Sequence, residues 1–298
     1  MKILTESSCG ETRIAFIGAL GPEKIIIRRD LVLNFGDKVR AKIKAYHPTL
    51  KGYFAETGRG DVFIPTHQSF TEGASVEVLI TKEPRGDKVA TGHLSDKESE
   101  NPDIFGTEIT AAEMDELVAE AMIPDVHLKN GGMLHIEKTR VCWTIDVDSG
   151  ENTDILSHLN ESALPEIVRQ ITLKNMGGLI LIDFAGSKRG KSALNLLKMV
   201  RELFQGQDTV TIHGWTSAGL LEIEKKREYA DLWTTCSENN PVNIYYRVRR
   251  ALSTGRVIKP LVRVAPAVFK LLQGKDLRAK LEPVCDFPVS YFEVKEEK

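Results

Sequence analysis

Two carboxylate positions in this sequence have a setting that suits metal chemistry. The run Ile145-Asp146-Val147-Asp148-Ser149-Gly150 reads as the end of a strand. Alternation puts Asp146 and Asp148 on one face and Ile145 and Val147 on the other. In Leu179-Ile180-Leu181-Ile182-Asp183-Phe184, Asp183 follows four large apolar residues, and a charge ending a buried strand is costly unless it is paired or metal-bound. One or two carboxylates, with waters completing an octahedron, are the usual way of holding magnesium beside phosphates. The same aspartates would also serve as helix caps or as partners of Lys or Arg. The residues alone leave both readings open.

The surrounding elements must bring these positions together. After Gly131-Gly132 the pattern is α/β. MLHIEK and VCWTIDVD read as strands, SALPEIVRQITLK as a helix with Pro165 in its first turn, and LILIDF as a buried strand. SALNLLKMVRELF follows as an amphipathic helix and VTIHGW as a further strand. Strand ends that open into Gly-rich loops are where such sheets carry their sites. Upstream, 12–17 and 23–28 read as a hairpin around Gly18, Gly21 and Pro22. From 36 to 94, five short segments separated by Gly and Pro predict a small Greek-key barrel of OB type. Residues 95–130 read as a polar connector carrying one helix over 110–122, with Thr110 as its cap. The expected organisation is therefore 1–35 as N-terminal β elements, the barrel over 36–94, the connector over 95–130, an α/β unit over 131–240 and a small α/β segment over 241–298.

Composition limits the function classes. Of 298 residues, 42% are hydrophobic and 28% charged, which supports a sizeable core. No apolar run approaches the length of a membrane span, so no membrane partner is expected. The N-terminus lacks the long apolar segment of a secretory signal. The four cysteines, Cys9, Cys142, Cys236 and Cys285, are far apart and form no CxxC pair, which predicts free thiols in a reducing cytoplasm. Net charge is -2 with a pI of about 6.4, so any nucleic-acid contact must use local clusters. Such clusters are Lys188, Arg189 and Lys191; Lys225, Lys226 and Arg227; and Arg247, Arg249 and Arg250. Each is equally readable as a solvated helix face.

GGMLHIEKTRVCWTIDVDSG followed by NESALPEIVRQITLKNMGGLILIDF resembles the catalytic core of the RNase E/G family. Thr216-Ser217-Ala218-Gly219-Leu220-Leu221-Glu222-Ile223, with Lys225, Lys226 and Arg227 after it, is similar to a further family element, and GYFAETG, DVFIP and KEPRGDKVA are similar to the family's barrel. The resemblance covers 12–93 and 131–230 well and the tail weakly. It implies a multidomain α+β chain: an OB-type RNA-binding barrel, a DNase I-like α/β catalytic unit, and RNase H-like elements flanking the barrel. It further implies a metal-dependent endoribonuclease that cuts single-stranded RNA, in rRNA processing or RNA decay, to 5′-phosphate and 3′-hydroxyl ends. Asp146 and Asp183 would be the catalytic Mg2+ ligands, with Asp148 as a third metal-binding carboxylate. Phe54, Phe63 and Lys88 would contact RNA on the barrel, and Lys174, Lys188 and Arg189 would contact phosphate. Arg169 reads as structural, and so does His213, the nearest candidate general acid.

Three departures from the family pattern carry expectations. Asp148 stands where the family has Asn, and the added carboxylate admits Mn2+ as well as Mg2+. Cys236-Ser237-Glu238-Asn239-Asn240 stands where the family has a zinc-binding CPxC motif. No zinc is expected, hence a monomer or a homodimer without a zinc link. The short connector predicts a reduced or absent pocket for the RNA 5′ end. The competing expectation is a non-catalytic single-stranded RNA-binding protein on the same fold.

Overall fold

The computed structural model describes residues 1–85, 88–95, 104–129, 131–150, 156–186, 190–238, 240–253, 261–264 and 293–296. The chain opens with three antiparallel strands, β1 (Lys2–Ser8), β2 (Glu11–Gly18) and β3 (Gly21–Arg29). The expected hairpin is β2–β3, and β1 adds a strand that its mixed sequence KILTESS does not announce. The chain then leaves this sheet for β4 (Lys38–His47), β5 (Gly52–Thr57), β6 (Gly60–Pro65), β7 (Ser75–Lys82) and β8 (Ala90–Leu94). These close into a barrel in the order β4-β5-β6-β8-β7, the Greek-key arrangement expected of an OB-type barrel. Its interior is Ala41, Ile43, Tyr53, Ala55, Val62, Ile64, Val78 and Ile80, the alternate positions of each strand.

The expected connector is part of the first sheet. β9 (Thr107–Glu108) pairs parallel to β1, so the barrel is an insertion between β3 and β9. Helix α1 (Ala111–Met122) follows, with Thr110 and Glu113 forming a capping box, which satisfies two orphan N–H groups at its start. Met114 and Ala121 of α1 pack against Ala15 and Ile25 of that sheet.

The remaining chain builds a six-stranded sheet in the order β10-β11-β12-β13-β15-β14. Its strands are β10 (Asp125–His127), β11 (Met133–Lys138), β12 (Cys142–Asp148), β13 (Gly178–Asp183), β14 (Val210–Trp215) and β15 (Leu221–Lys225). Strands β12 and β13 run parallel, linked by helix α2 (Leu156–Leu173), and α3 (Gly190–Leu203) follows β13. Ile145, Val147, Ile180, Ile182 and Ile223 pack against Leu164, Ile167, Leu196 and Val200 of the two helices, so the helices cover one face. Leu173 at the end of α2 also packs on Ile25 of the first sheet, which makes α2 a shared core element.

Pro165 lies mid-helix, not in a first turn, because α2 begins at Leu156. A proline there deprives the Glu161 carbonyl of its helical donor. The turns ahead of it hold because Leu159 and Ala163 are buried in the core. Beyond the sheet come α4 (Leu232–Thr235), α5 (Pro241–Ser253), β16 (Leu261–Val264) and β17 (Glu293–Glu296). Most of the small α/β segment expected over 241–298 lies outside the described residues. Arg250 of α5 pairs with Glu11, and Arg249 lies 3.5 Å from Asp30. Glu11 also holds Arg29 at 2.7 Å. The 247–250 cluster therefore ties α5 to the first sheet, apart from Arg247, which lies 3.6 Å from Glu238.

Candidate active site and nucleic-acid face

On β12 the burial alternates as expected, with Ile145 and Val147 in the core and Asp146 and Asp148 exposed. Asp183 is half-buried at the end of β13. The register makes Asp146 and Asp183 direct partners, about 5 Å apart at Cα on the same face. Asp146 is also the partner of His135 on β11, and His135 is the partner of Asp125 on β10. Asp125, His135, Asp146 and Asp183 thus form one row across four adjacent strands, on the face the helices leave open.

The row is held at both ends. His135 Nδ1 donates to Asp125 Oδ1 at 2.7 Å. That hydrogen bond, with the charges of Asp125, Asp146 and Asp148, holds the imidazole above its ordinary pKa. At the other end Asn160, buried in α2, grips the turn after Asp183. Its Nδ2 donates to the Ala185 carbonyl at 2.9 Å, and its Oδ1 accepts from the Ala185 N–H at 3.1 Å. Asp148 lies one pleat further along β12, about 7 Å from Asp146 at Cα. Its Oδ1 accepts the Gly150 N–H at 2.9 Å, and its Oδ2 lies 3.8 Å from His135 Nε2. Among the described residues, no group of three or more His, Cys, Asp or Glu side chains is arranged to hold a metal ion. Asp148 thus engages the turn and the histidine.

On the barrel, Phe54 and Phe63 are register partners, with ring centroids 5.2 Å apart. Both lie on the outer wall, since their neighbours Tyr53, Val62 and Ile64 point into the core. Lys88 is exposed and forms an antiparallel bridge with Arg85.

Lys174 corrects an expectation. Its side chain is fully buried, and its ammonium donates to the Ala121 carbonyl at 2.9 Å and to Gln170 Oε1 at 2.6 Å. Burial lowers its pKa to about 8. It joins α2 to the end of α1 and has no surface for a phosphate. Lys188 and Arg189 lie outside the described residues. Arg169 is structural as expected, binding Glu166 and donating to the Pro22 carbonyl at 2.7 Å. His213 lies on β14, two strands from Asp183, with Glu224 3.4 Å away. His135, not His213, is the histidine beside the carboxylates.

Sequence alone does not single out Asp125, His135 and Asn160. The alternation in DVH and MLHIEK signals one polar face, but no single strand shows which residues a register sets side by side. Cys236 caps α4, and burial pushes its thiol up to about 11, which disfavours the thiolate a metal needs. Cys9, Cys142 and Cys236 are free thiols, and Cys285 lies outside the described residues. No described helix is long and apolar enough to cross a membrane.

Residues 88–228 match the model of the Ribonuclease E/G family. Ribonuclease E of Synechocystis sp. is 34% identical over 123 residues, which cover 39% of this chain and 18% of that protein. Ribonuclease G of Salmonella typhimurium is 27% identical over 190 residues, covering 55% of this chain and 38% of that protein. Ribonuclease G of Haemophilus influenzae is 28% identical over 132 residues, covering 42% and 26%. The matched stretch is less than half the length of each of these relatives.

Proposed function

We propose that this chain, whose residues 88–228 match the model of the Ribonuclease E/G family, is an endoribonuclease that hydrolyses single-stranded RNA with a divalent metal held by Asp146 and Asp183. The observation that carries the reading is the register partnership of those two carboxylates at the ends of parallel strands. An oxygen-only donor pair, one exposed and one half-buried, suits Mg2+ and accommodates Mn2+, with waters and phosphate oxygens completing the shell. Such an ion, when bound, lowers the pKa of a water and neutralises charge on the scissile phosphate.

The protein residues supply the rest. Asn160 fixes the turn that follows Asp183. Phe54 and Phe63 offer stacking surfaces, which suit single strands because every base has a π face. Asp148 holds the Gly150 turn and adds a negative charge beside the phosphate path, which opposes tight binding of the strand. Cleavage to 5′-phosphate and 3′-hydroxyl ends, in rRNA processing or RNA decay in the cytoplasm, completes the reading. The chain would act as a monomer or as a homodimer without a zinc link.

A second reading is favoured by one observation: Asp148 turns toward His135 and Gly150 in place of the family's Asn. An RNA-binding protein without cleavage would tolerate that arrangement. The deciding experiment follows a 5′-labelled, unstructured A/U-containing RNA with Mg2+, Mn2+ or EDTA, beside Asp146→Ala and Asp183→Ala. Metal-dependent internal cleavage, abolished in both variants while binding persists, supports the nuclease. Binding without cleavage in either metal selects the second reading.

A further inference from the structure

On the sheet face opposite α2 and α3, His135 stands between two carboxylates that no Lys or Arg neutralises. Its Nδ1 donates to Asp125 Oδ1 at 2.7 Å, so in the neutral ring Nε2 carries a free lone pair. Nε2 lies 3.8 Å from Asp148 Oδ2, too far for a hydrogen bond. Among the described residues, neither Asp125 nor Asp148 has a Lys or Arg within 4.0 Å. The other oxygen of Asp148 is held in place, because Oδ1 accepts the Gly150 N–H at 2.9 Å. Each member of the pair is thus fixed from behind and presents one free atom to the other.

The spacing suits a shared ion. First-row divalent ions sit about 2.1–2.2 Å from an imidazole nitrogen or a carboxylate oxygen. Two donors 3.8 Å apart both reach one ion at that distance, with a ligand–metal–ligand angle of roughly 120°. Metal-binding histidines almost always give their second N–H to a carboxylate or carbonyl, which orients the ring and makes it a better donor. Asp125 supplies that hydrogen bond here, and it is the first cause that holds the imidazole above its ordinary pKa. Strand pairing sets the arrangement. Asp125 is the register partner of His135, and Asp148 is the partner of Met133, two residues before His135 on the same face. The side chains of Asp125, His135 and Asp148 are each more than a third exposed, so water has access to the remaining positions of the shell.

We propose that His135 Nε2 and Asp148 Oδ2 form a second metal site, separate from Asp146 and Asp183, which takes a divalent transition ion in preference to Mg2+. The donor set makes the preference, since imidazole suits transition ions and Mg2+ keeps to oxygen. Asp148 lies one pleat along β12 from Asp146, about 7 Å away at Cα, so the two sites adjoin without sharing a residue. The role of the second ion rests on the RNA reading above and deepens it. An ion on this pair neutralises the carboxylate of Asp148, which otherwise repels the strand, and offers a contact to a phosphate oxygen instead.

The test is titration of Co2+ into the protein in a large excess of Mg2+, which fills oxygen-only sites. Binding is read by calorimetry, and the ligand is identified by the hyperfine-shifted proton NMR signal of a cobalt-bound imidazole. The variants are His135→Gln, Asp148→Asn and Asp125→Asn, with Asp146→Asn for comparison and thermal melts to confirm folding. Wild type is expected to bind one Co2+ per chain and to show one shifted imidazole N–H. His135→Gln should remove that signal, and His135→Gln and Asp148→Asn should each weaken Co2+ binding by roughly tenfold or more. Asp125→Asn should weaken it about 10–100-fold, the usual scale for a carboxylate behind a metal-binding histidine. Asp146→Asn should leave it unchanged. No Co2+ bound in excess Mg2+, binding without a shifted imidazole signal, or equal affinity in His135→Gln and Asp148→Asn each overturn the proposal. RNA affinity, measured by anisotropy in Mg2+ with and without Co2+, tests the role of the ion. A several-fold gain that His135→Gln abolishes supports the phosphate contact, and no gain overturns it. A chain that holds Co2+ through His135 and neither binds nor cuts RNA keeps the metal site and overturns the RNA reading alone.

Discussion

Asp146 and Asp183 are register partners on adjacent parallel strands, side by side on the sheet face opposite α2 and α3. Their apolar neighbours Ile145 and Ile182 anchor the same two strands in the core beneath α2 and α3. The carboxylate spacing is therefore set by backbone hydrogen bonding rather than by flexible side chains or loops. Rigid elements position a site more tightly than loops do.

Phe54→Ala and Phe63→Ala should each weaken single-stranded RNA binding by about 1–3 kcal/mol, the range for removing one stacked base–aromatic pair. The fold should survive, because both rings lie on the outer wall of the barrel. Anisotropy titration with one RNA at one salt concentration checks this. Affinity unchanged in both variants would take the barrel face out of RNA recognition.

Asn160→Ala removes both hydrogen bonds to the Ala185 backbone. The expected cost is about 1–3 kcal/mol of stability and a ~10–100-fold slower cleavage, the usual scale for groups that orient ligands from behind. Urea unfolding and single-turnover cleavage measure the two effects separately. A stability loss with full cleavage activity would make Asn160 a packing residue only.

Lys174→Ala leaves the Ala121 carbonyl and Gln170 Oε1 without their donor and opens space in a closed interior. The expected loss is about 3 kcal/mol. RNA affinity and its salt slope, read on the folded fraction, should not change. A smaller salt slope would return Lys174 to the phosphate-binding residues.

Glu83 joins the barrel to the segment after β15, accepting from Phe35 N–H at 3.0 Å and Ala230 N–H at 2.7 Å. Burial raises its carboxyl to about 7 against those two donors. The folded state then binds a proton that the unfolded chain has released above about 4.5. This contribution is fully present below the unfolded pKa and is lost as pH rises through about 7. Stability should fall by on the order of 1–3 kcal/mol across that window, and the Glu83→Gln variant should lack this component. Melting curves of both proteins from acid to neutral pH test it, and parallel slopes would count against it.

Much of the frame is legible in sequence, for physical reasons. Alternation in VCWTIDVD gives the exposed face of Asp146 and Asp148, because Ile145 and Val147 have one place to go. Turn residues between short alternating runs mark the barrel, and Thr110 announces its helix. Other features depend on partners distant in sequence. The row Asp125–His135–Asp146–Asp183 is a product of register between strands. Lys174 reads as a solvent-facing cation until the packing of α2 between two sheets buries it. Pro165 reads as a helix start until the core packing of Leu159 and Ala163 extends the helix ahead of it. β9 is two residues long, so nothing local shows that the chain returns to the first sheet after the barrel.

The most direct measurement is single-turnover cleavage of an unstructured RNA against Mg2+ concentration, for wild type, Asp146→Asn and Asp183→Asn, with RNA affinity measured in parallel. A metal site built on these two carboxylates predicts saturable metal dependence in the wild type. Each Asn variant should fall roughly a thousandfold in rate, since a bound ion contributes several kcal/mol to the barrier, while RNA affinity changes little. Cleavage that persists in EDTA, or in either variant at the wild-type rate, would contradict it.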